Sequence, residues 1–201
     1  MIARRHTLAL LTAVMLCVTL PACLFSTRED EVQPPGTGGC PVVSLNDPLQ
    51  VFGALKQALN VCKQDANYER ALSSTFLFSP TLQDSLDQNF INTGVFDNWN
   101  KARELEALGL LLADAQTLLA EFSPSVEINK NTFVRYRVNY ELGVVATATP
   151  ADTTRYRGVA FFDVRNEGGN WRLTYWNDID TVDGFSTWGY LRGILGLRLN
   201  P

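Results

Sequence analysis

The chain has 201 residues, with Lys+Arg 17 against Asp+Glu 21 and a formal net charge of −4. An acidic chain without a basic stripe repels phosphate backbones and is not drawn to anionic lipid by charge, which argues against nucleic acid as a partner. Its one histidine, His6, stands in a segment that reads as a cleaved leader, so His-based nucleophilic catalysis and His-ligated metal centres are excluded from the expected mature protein.

Met1 to His6 is basic and Leu8 to Leu20 is almost wholly apolar, the order of a secretory signal. A spanning helix needs about 20 apolar residues and a signal core about 7 to 15, so residues 1–22 read as an address rather than a span. Leu20-Pro21-Ala22-Cys23 resembles a bacterial lipobox, although proline is a less usual occupant of its slot. In that motif the cysteine is acylated and becomes the first residue of the mature chain, attached to the membrane by lipid and not by charge. The plainer alternative is a signal cut nearby, with an ordinary thiol at Cys23. Leu24 lacks the acid that retains some bacterial lipoproteins at the inner membrane, so analogy favours an exported, outer-membrane address in the cell envelope.

Residues 23–46 form a lipidated tether, rich in Pro, Gly, Ser and charge around "STREDEVQPPGTGGCP", with too little apolar surface to fold alone. With Cys17 lost and Cys23 acylated, only Cys40 and Cys62 remain in an oxidising compartment, and they are expected to pair. Residues 47–201 then make one domain.

Asp47-Pro48 is a helix-start signal, and Val51, Phe52, Leu55, Ala58, Leu59 and Cys62 follow at helical spacing. A second short helix carries Tyr68, Ala71 and Leu72 and ends near "STFLFSP". Residues 81–98 read as loop with helical turns. Asp97 is expected to cap a third helix bearing Trp99, Ala102, Leu105 and Leu108, and "GLLLADAQTLL" continues it or begins a strand. From residue 117 the period becomes two: Leu118, Ala120, Phe122, Pro124, Val126 and Ile128 share one side, with Pro124 marking an edge or bulge. After "NKN", Val134, Tyr136, Val138, Tyr140 and Leu142 alternate again, completing a hairpin. "GVAFFDV" and "WRLTYWNDID" flank the turn "NEGGN", and "FSTWGYLRGILG" reads as a terminal helix capped by Ser186. Helices first and an antiparallel meander afterwards is the α+β pattern.

This order of parts resembles the nuclear transport factor 2-like superfamily, a cone-shaped α+β roll with helices laid over a strongly curved sheet. The residues that carry the resemblance are "DANYERALSSTFLFSP", "WNKARELEAL" and "GGNWRLTYWND", and it spans nearly all of residues 47–198. More narrowly, Trp176, Asp178 and Thr187-Trp188-Gly189 look like the closing segment of lipid-anchored bacterial members, few of which have an assigned activity. The resemblance implies a pocket at the cone mouth, a tendency to pair sheet to sheet as a homodimer, and, in the enzymatic members, an acid or His base beside a Tyr donor.

On the residues themselves the site is sparse. Asp178 and Asp180 stand two apart, so a regular strand would place both on one face near Tyr140, the minimum for carboxylate acid–base chemistry of an isomerase, dehydratase or hydrolase. The simpler account is a solvated strand end. "DIDTVDG" lacks the distant glutamate of a calcium loop, so no metal and no cofactor is implied. Tyr136, Tyr140, Phe162 and Trp176 are the candidates to line a pocket, against the commoner fate of aromatics as core. Arg135, Arg137, Arg155, Arg157, Arg165 and Arg172 read as a charged sheet face interleaved with acids. The expectation is a non-enzymatic, lipid-anchored envelope protein that binds a small apolar ligand or an envelope protein.

Overall fold

The computed structural model describes residues 40–146 and 153–199; the signal, Cys23, most of the tether and the middle of "ATATPADTT" lie outside them. Helix α1 (Gln50–Gln57) begins as the sequence indicates. Asp47 Oδ1 accepts the Leu49 amide at 2.7 Å while the Asp47 amide donates to Gln50 Oε1 at 3.1 Å, a reciprocal cap. The helix then loosens into a π-helical turn (Ala58–Cys62) that closes at Lys63 with φ 46°. This turn presents Asn60 to the sheet edge, where its Oδ1 accepts the Ala120 amide at 2.5 Å and its Nδ2 donates to the Ala120 carbonyl at 3.0 Å. Cys62 is bonded to Cys40, with Cα atoms 5.6 Å apart, inside the span a disulfide bridges.

Helix α2 (Asp65–Ala71) is followed at once by strand β1 (Leu72–Ser79). The helix ends near "STFLFSP" as expected, but that segment, which the sequence did not assign to a strand, is part of β1. Ser73-Ser74-Thr75 are weak helix formers whose hydroxyls compete for the backbone, as Ser73 Oγ does in accepting the Thr75 amide at 3.1 Å. Phe76 and Phe78 are buried on either side of an exposed Leu77, the alternation of a strand. Helix α3 (Leu82–Ser85) is capped by Thr81, and α4 (Lys101–Asp114) by Asn100, whose side chain accepts the Arg103 amide. Asp97 was the expected cap. The chain cannot enter the helix there, because Asn98 takes φ 55° and the Trp99 carbonyl is held by the Phe78 amide at 3.0 Å.

Four long strands complete the sheet: β2 (Thr117–Lys130), β3 (Phe133–Val145), β4 (Thr153–Glu167) and β5 (Asn170–Thr181). Among the described residues the strand order is β1-β5-β4-β3-β2, antiparallel except for β1 beside β5. The sheet is open, and α+β with a mostly antiparallel sheet is the class expected. Val134, Tyr136, Val138, Tyr140 and Leu142 are all buried, as their period requires. Pro124 lies on the edge strand β2, where its missing amide costs no ladder bond. Tyr140 faces Gly158 across the ladder, and a Cβ at Gly158 would run into the Tyr140 hydroxyl; only glycine admits the ring there.

One face of the sheet is covered by α1, α2, α4 and the terminal helix α5 (Trp188–Leu199), and the core lies between. The other face carries the expected charge ladder, with Arg135 Nε 2.6 Å from Asp163 Oδ1, Arg157 Nη2 2.8 Å from Glu141 Oε2, and Arg155 also on Glu141. The disulfide ties the chain's entry to the π-helical turn across a separation of 22 residues. Peptide mapping without reductant should recover Cys40 and Cys62 in one linked fragment, and reduction should lower stability by about 3 kcal/mol in chemical denaturation. Two free thiols would contradict the structure.

Candidate functional site

The residues expected to line a pocket are brought together, but they fill the space instead of framing it. Phe162 and Trp176 have ring centroids 4.3 Å apart, Trp176 and Trp188 4.8 Å, Phe52 and Tyr136 5.2 Å, and Phe52 and Phe162 5.5 Å. Phe52 comes down from α1 and Trp188 from α5, so both covering helices contribute a plug. The void left beside Trp188 and Arg192 is about 10 Å³, against the ~300–1,000 Å³ of a small-molecule pocket. A larger groove of about 370 Å³ runs past Ser123, Asn139, Glu141 and Arg157. By strand parity those side chains stand on the outer face, while the inward-facing Tyr140 also borders the groove beside Gly158.

At the centre of the interior is a charge network that sequence reasoning missed. Arg192 of α5 is 1% exposed and Glu104 of α4 is 3% exposed. They meet as a bidentate pair, Nε to Oε2 at 2.8 Å and Nη2 to Oε1 at 2.7 Å. The Tyr68 hydroxyl donates to Glu104 Oε1 at 2.6 Å and the Trp99 indole to Oε2 at 2.7 Å. Burial alone would push the Glu104 carboxyl up, but the Arg192 charge and these donors together hold it below its ordinary value. Burial likewise disfavours the charged guanidinium, and the Glu104 charge reverses that, so Arg192 stays protonated. The guanidinium carbon also lies 4.0 Å from the Trp176 ring centroid, 4.2 Å from Phe78 and 5.1 Å from Trp188.

A second pair of acids holds the start of α5. Asp178 accepts the Trp176 indole at 2.7 Å and the Gly189 amide at 3.0 Å. Asp84 accepts the hydroxyls of Thr187 at 2.5 Å and Thr81 at 2.8 Å. Thr187, not Ser186, caps the helix, accepting the Tyr190 amide at 2.9 Å, while the Ser186 carbonyl serves the Arg157 amide. A Cβ on Gly189 would sit 2.8 Å from Asp178 Oδ2 and 3.0 Å from Asp84 Oδ2, so the bare glycine is what allows both carboxylates to close on the helix. Burial pushes the Asp178 carboxyl up to about 7, against the pull of Arg192 and the hydrogen bonds from Trp176 and Tyr140, with the Asp84 charge adding to the rise. Tyr140 is itself held far above its ordinary value by burial and then by the Asp178 charge.

Asp178 and Tyr140 are therefore neighbours, but Asp180 is not part of the site. Asp178 is 2% exposed whereas Asp180 is exposed to solvent. The ladder slips between Val159 and Ala160, pairing Asp180 with the former and Asp178 with the latter, so Ile179 is an extra residue and the two acids turn apart. The shared face expected from strict alternation is corrected on that ground, and the loop "DIDTVDG" loses one of its clustered acids. A second slip between Asp163 and Val164 lets Trp171 and Trp176, five apart, both face inward, where both are buried.

No family model and no curated protein matches the sequence. Solved structures do match in shape. A putative aromatic ring hydroxylase from Novosphingobium aromaticivorans aligns with TM-score 0.51 at 13% identity, over 72% of this chain and 93% of that one. A protein of unknown function from Mycobacterium tuberculosis gives 0.51 at 10% identity, over 75% and 84%. A putative scytalone dehydratase from Novosphingobium aromaticivorans gives 0.51 at 12% identity, over 67% and 81%. The domain has the nuclear transport factor 2-like cone fold. At such identities the likeness is one of fold alone.

The position of Arg192 was readable in part, since it falls on the buried stripe of Trp188, Leu191 and Leu195; its partner, 88 residues away, was not. For Asp178 the pH dependence has a definite sign. The folded state keeps its proton up to about pH 7, whereas an unfolded Asp releases it near 4. Its stabilising contribution is complete below about pH 4 and is lost as pH rises through 7. Facing it are Arg192 of α5, Tyr140 of β3 and Asp84 of α3. Stability measured by denaturation should fall by about 3 kcal/mol between pH 5 and pH 8, and Asp178→Asn should flatten that slope. A wild-type profile that is level or rising over this interval would contradict the arrangement.

Proposed function

We propose that this protein is a lipid-anchored component of the bacterial cell envelope that works without catalysis, engaging an envelope protein through its surface. The observation that carries this reading is the filled cone: where a ligand would sit, Phe52, Phe162, Trp176 and Trp188 pack ring against ring. That packing favours a protein partner over a small apolar ligand. The anchor rests on the order of basic, apolar and "LPAC" segments in the first 23 residues. No helix among the described residues is long and apolar enough to cross a membrane, which is compatible with attachment through an acyl chain.

Two measurements test the reading. In cells fed labelled palmitate, the protein should take up label, and Cys23→Ser should abolish it. The purified chain should show no saturable fluorescence enhancement with a hydrophobic dye such as 8-anilinonaphthalene-1-sulfonate at pH 6 to 7. Stoichiometric dye binding displaced by fatty acids would instead favour the small-ligand alternative.

One observation favours a second reading, an isomerase, dehydratase or hydrolase. Asp178 has its proton affinity moved to about 7 and lies against Tyr140, the kind of tuning general acids need. Both groups lie beneath α5, so turnover would require that helix to lift. Complete loss of a detected activity in Asp178→Asn, with the melting temperature at pH 5 unchanged, would establish it over the first.

A further inference from the structure

We infer that the interior of the cone is a guanidinium-binding site, occupied in the resting protein by the chain's own Arg192. The parts of a cation receptor are present. Trp176 and Phe78 offer ring faces 4.0 and 4.2 Å from the guanidinium carbon, with Trp188 at 5.1 Å, and aromatic faces attract desolvated cations electrostatically. Glu104 supplies two oxygens in the fork geometry that a guanidinium matches and an ammonium does not.

The receptor does not depend on its guest for its shape. Phe78 belongs to β1, Trp176 to β5, Glu104 to α4 and Tyr68 to α2, and Trp99 precedes α4; of the residues around the guanidinium, only Trp188 comes with α5. Glu104 is oriented by the Tyr68 hydroxyl at 2.6 Å and the Trp99 indole at 2.7 Å, and both bonds survive if Arg192 is truncated. What would remain is a buried carboxylate, held in place and unpaired, facing two aromatic rings. Such a site has a strong preference for a small planar cation that restores both hydrogen bonds. Arg192 Nη1, buried and without a hydrogen-bond partner, marks the one side of the guanidinium that the receptor leaves unbonded, so a monosubstituted guanidinium meets every donor requirement the site imposes. The ligand class is therefore alkylguanidinium, whether free or borne by an arginine side chain, and α5 acts as an intramolecular competitor for it. None of this depends on how the chain is anchored.

The test is chemical rescue of Arg192→Ala in the purified full chain. Methylguanidinium from 0 to about 20 mM should raise its melting temperature saturably by about 3–5 °C, while wild type, with the site filled, should not respond. Methylammonium at the same concentration should give a markedly smaller rise, and sodium chloride none. The double variant Arg192→Ala/Glu104→Gln should lose the response. If Arg192→Ala is unfolded without additive, the readout becomes return of the near-ultraviolet dichroism of the buried tryptophans on adding methylguanidinium. The inference is overturned if neither rescue occurs, or if the rise is equal for methylammonium, for the double variant or for wild type, since Arg192–Glu104 would then be a structural ion pair only.

Discussion

A guanidinium and a carboxylate, both withdrawn from water at the centre of the domain, set the terms for everything packed around them. Separating such a pair, or removing one member, leaves an uncompensated charge in apolar surroundings at a cost of about 3–5 kcal/mol. Arg192 and Glu104 avoid this by pairing through two hydrogen bonds and by recruiting Tyr68 and Trp99 to the carboxylate. Because the contact is bidentate and planar, it fixes how α5 sits against α4 far more tightly than a greasy interface would. The aromatic rings on either side of the guanidinium then belong to β1, β5 and α5, so one ion pair gathers both layers of the fold.

Around that pair, the interior formed by the described residues is filled, in a cone fold whose matches in shape include proteins described as enzymes. Fold and activity are separable, with function residing in what side chains do at the site. In this chain the volume beneath the sheet is taken by Phe52, Phe122, Phe162, Trp176 and Trp188, and the polar groups among them are turned toward each other. Asp178 and Asp84 bind the first turn of α5, not solvent. The helix that would have to move to admit a ligand is held by three carboxylates from three different elements.

Much of the sheet could be read from the chain. Strand β3 and the first half of β2 alternate because one face is buried and the other is wet, whereas Val126 and Ile128, expected on the inner side, are exposed on either side of a register shift in β2, and the slips between β4 and β5 break the period there. Strand β1 escaped because its pairing is parallel and non-local: Phe78 lies beside Trp176, and nothing near Leu72 in sequence announces that neighbour. Asp178 and Asp180 were assigned to one face because a ladder slip adds a residue without any mark in the composition. The Arg192–Glu104 pair was hidden for a different reason. A charged residue on a helix ordinarily signals solvent, and "KARELEALGL" and "WGYLRGILG" each look amphipathic if that residue is placed outside. Only the tertiary meeting of two helices reverses the assignment.

The clamp that Asn60 places on Ala120 reaches beyond local geometry. The donor and acceptor of Ala120 are those an incoming strand would use to extend the sheet, and Pro124, of the same parity along β2, has no amide to offer. A visiting chain would therefore meet two gaps within five residues of this border. Under the anchoring proposed above, copies share a plane and encounter one another at high effective concentration, conditions in which bare borders zip together. A single amide side chain, carried on a π-helical turn, thus occupies the backbone groups that a neighbouring strand would need to extend the sheet at Ala120.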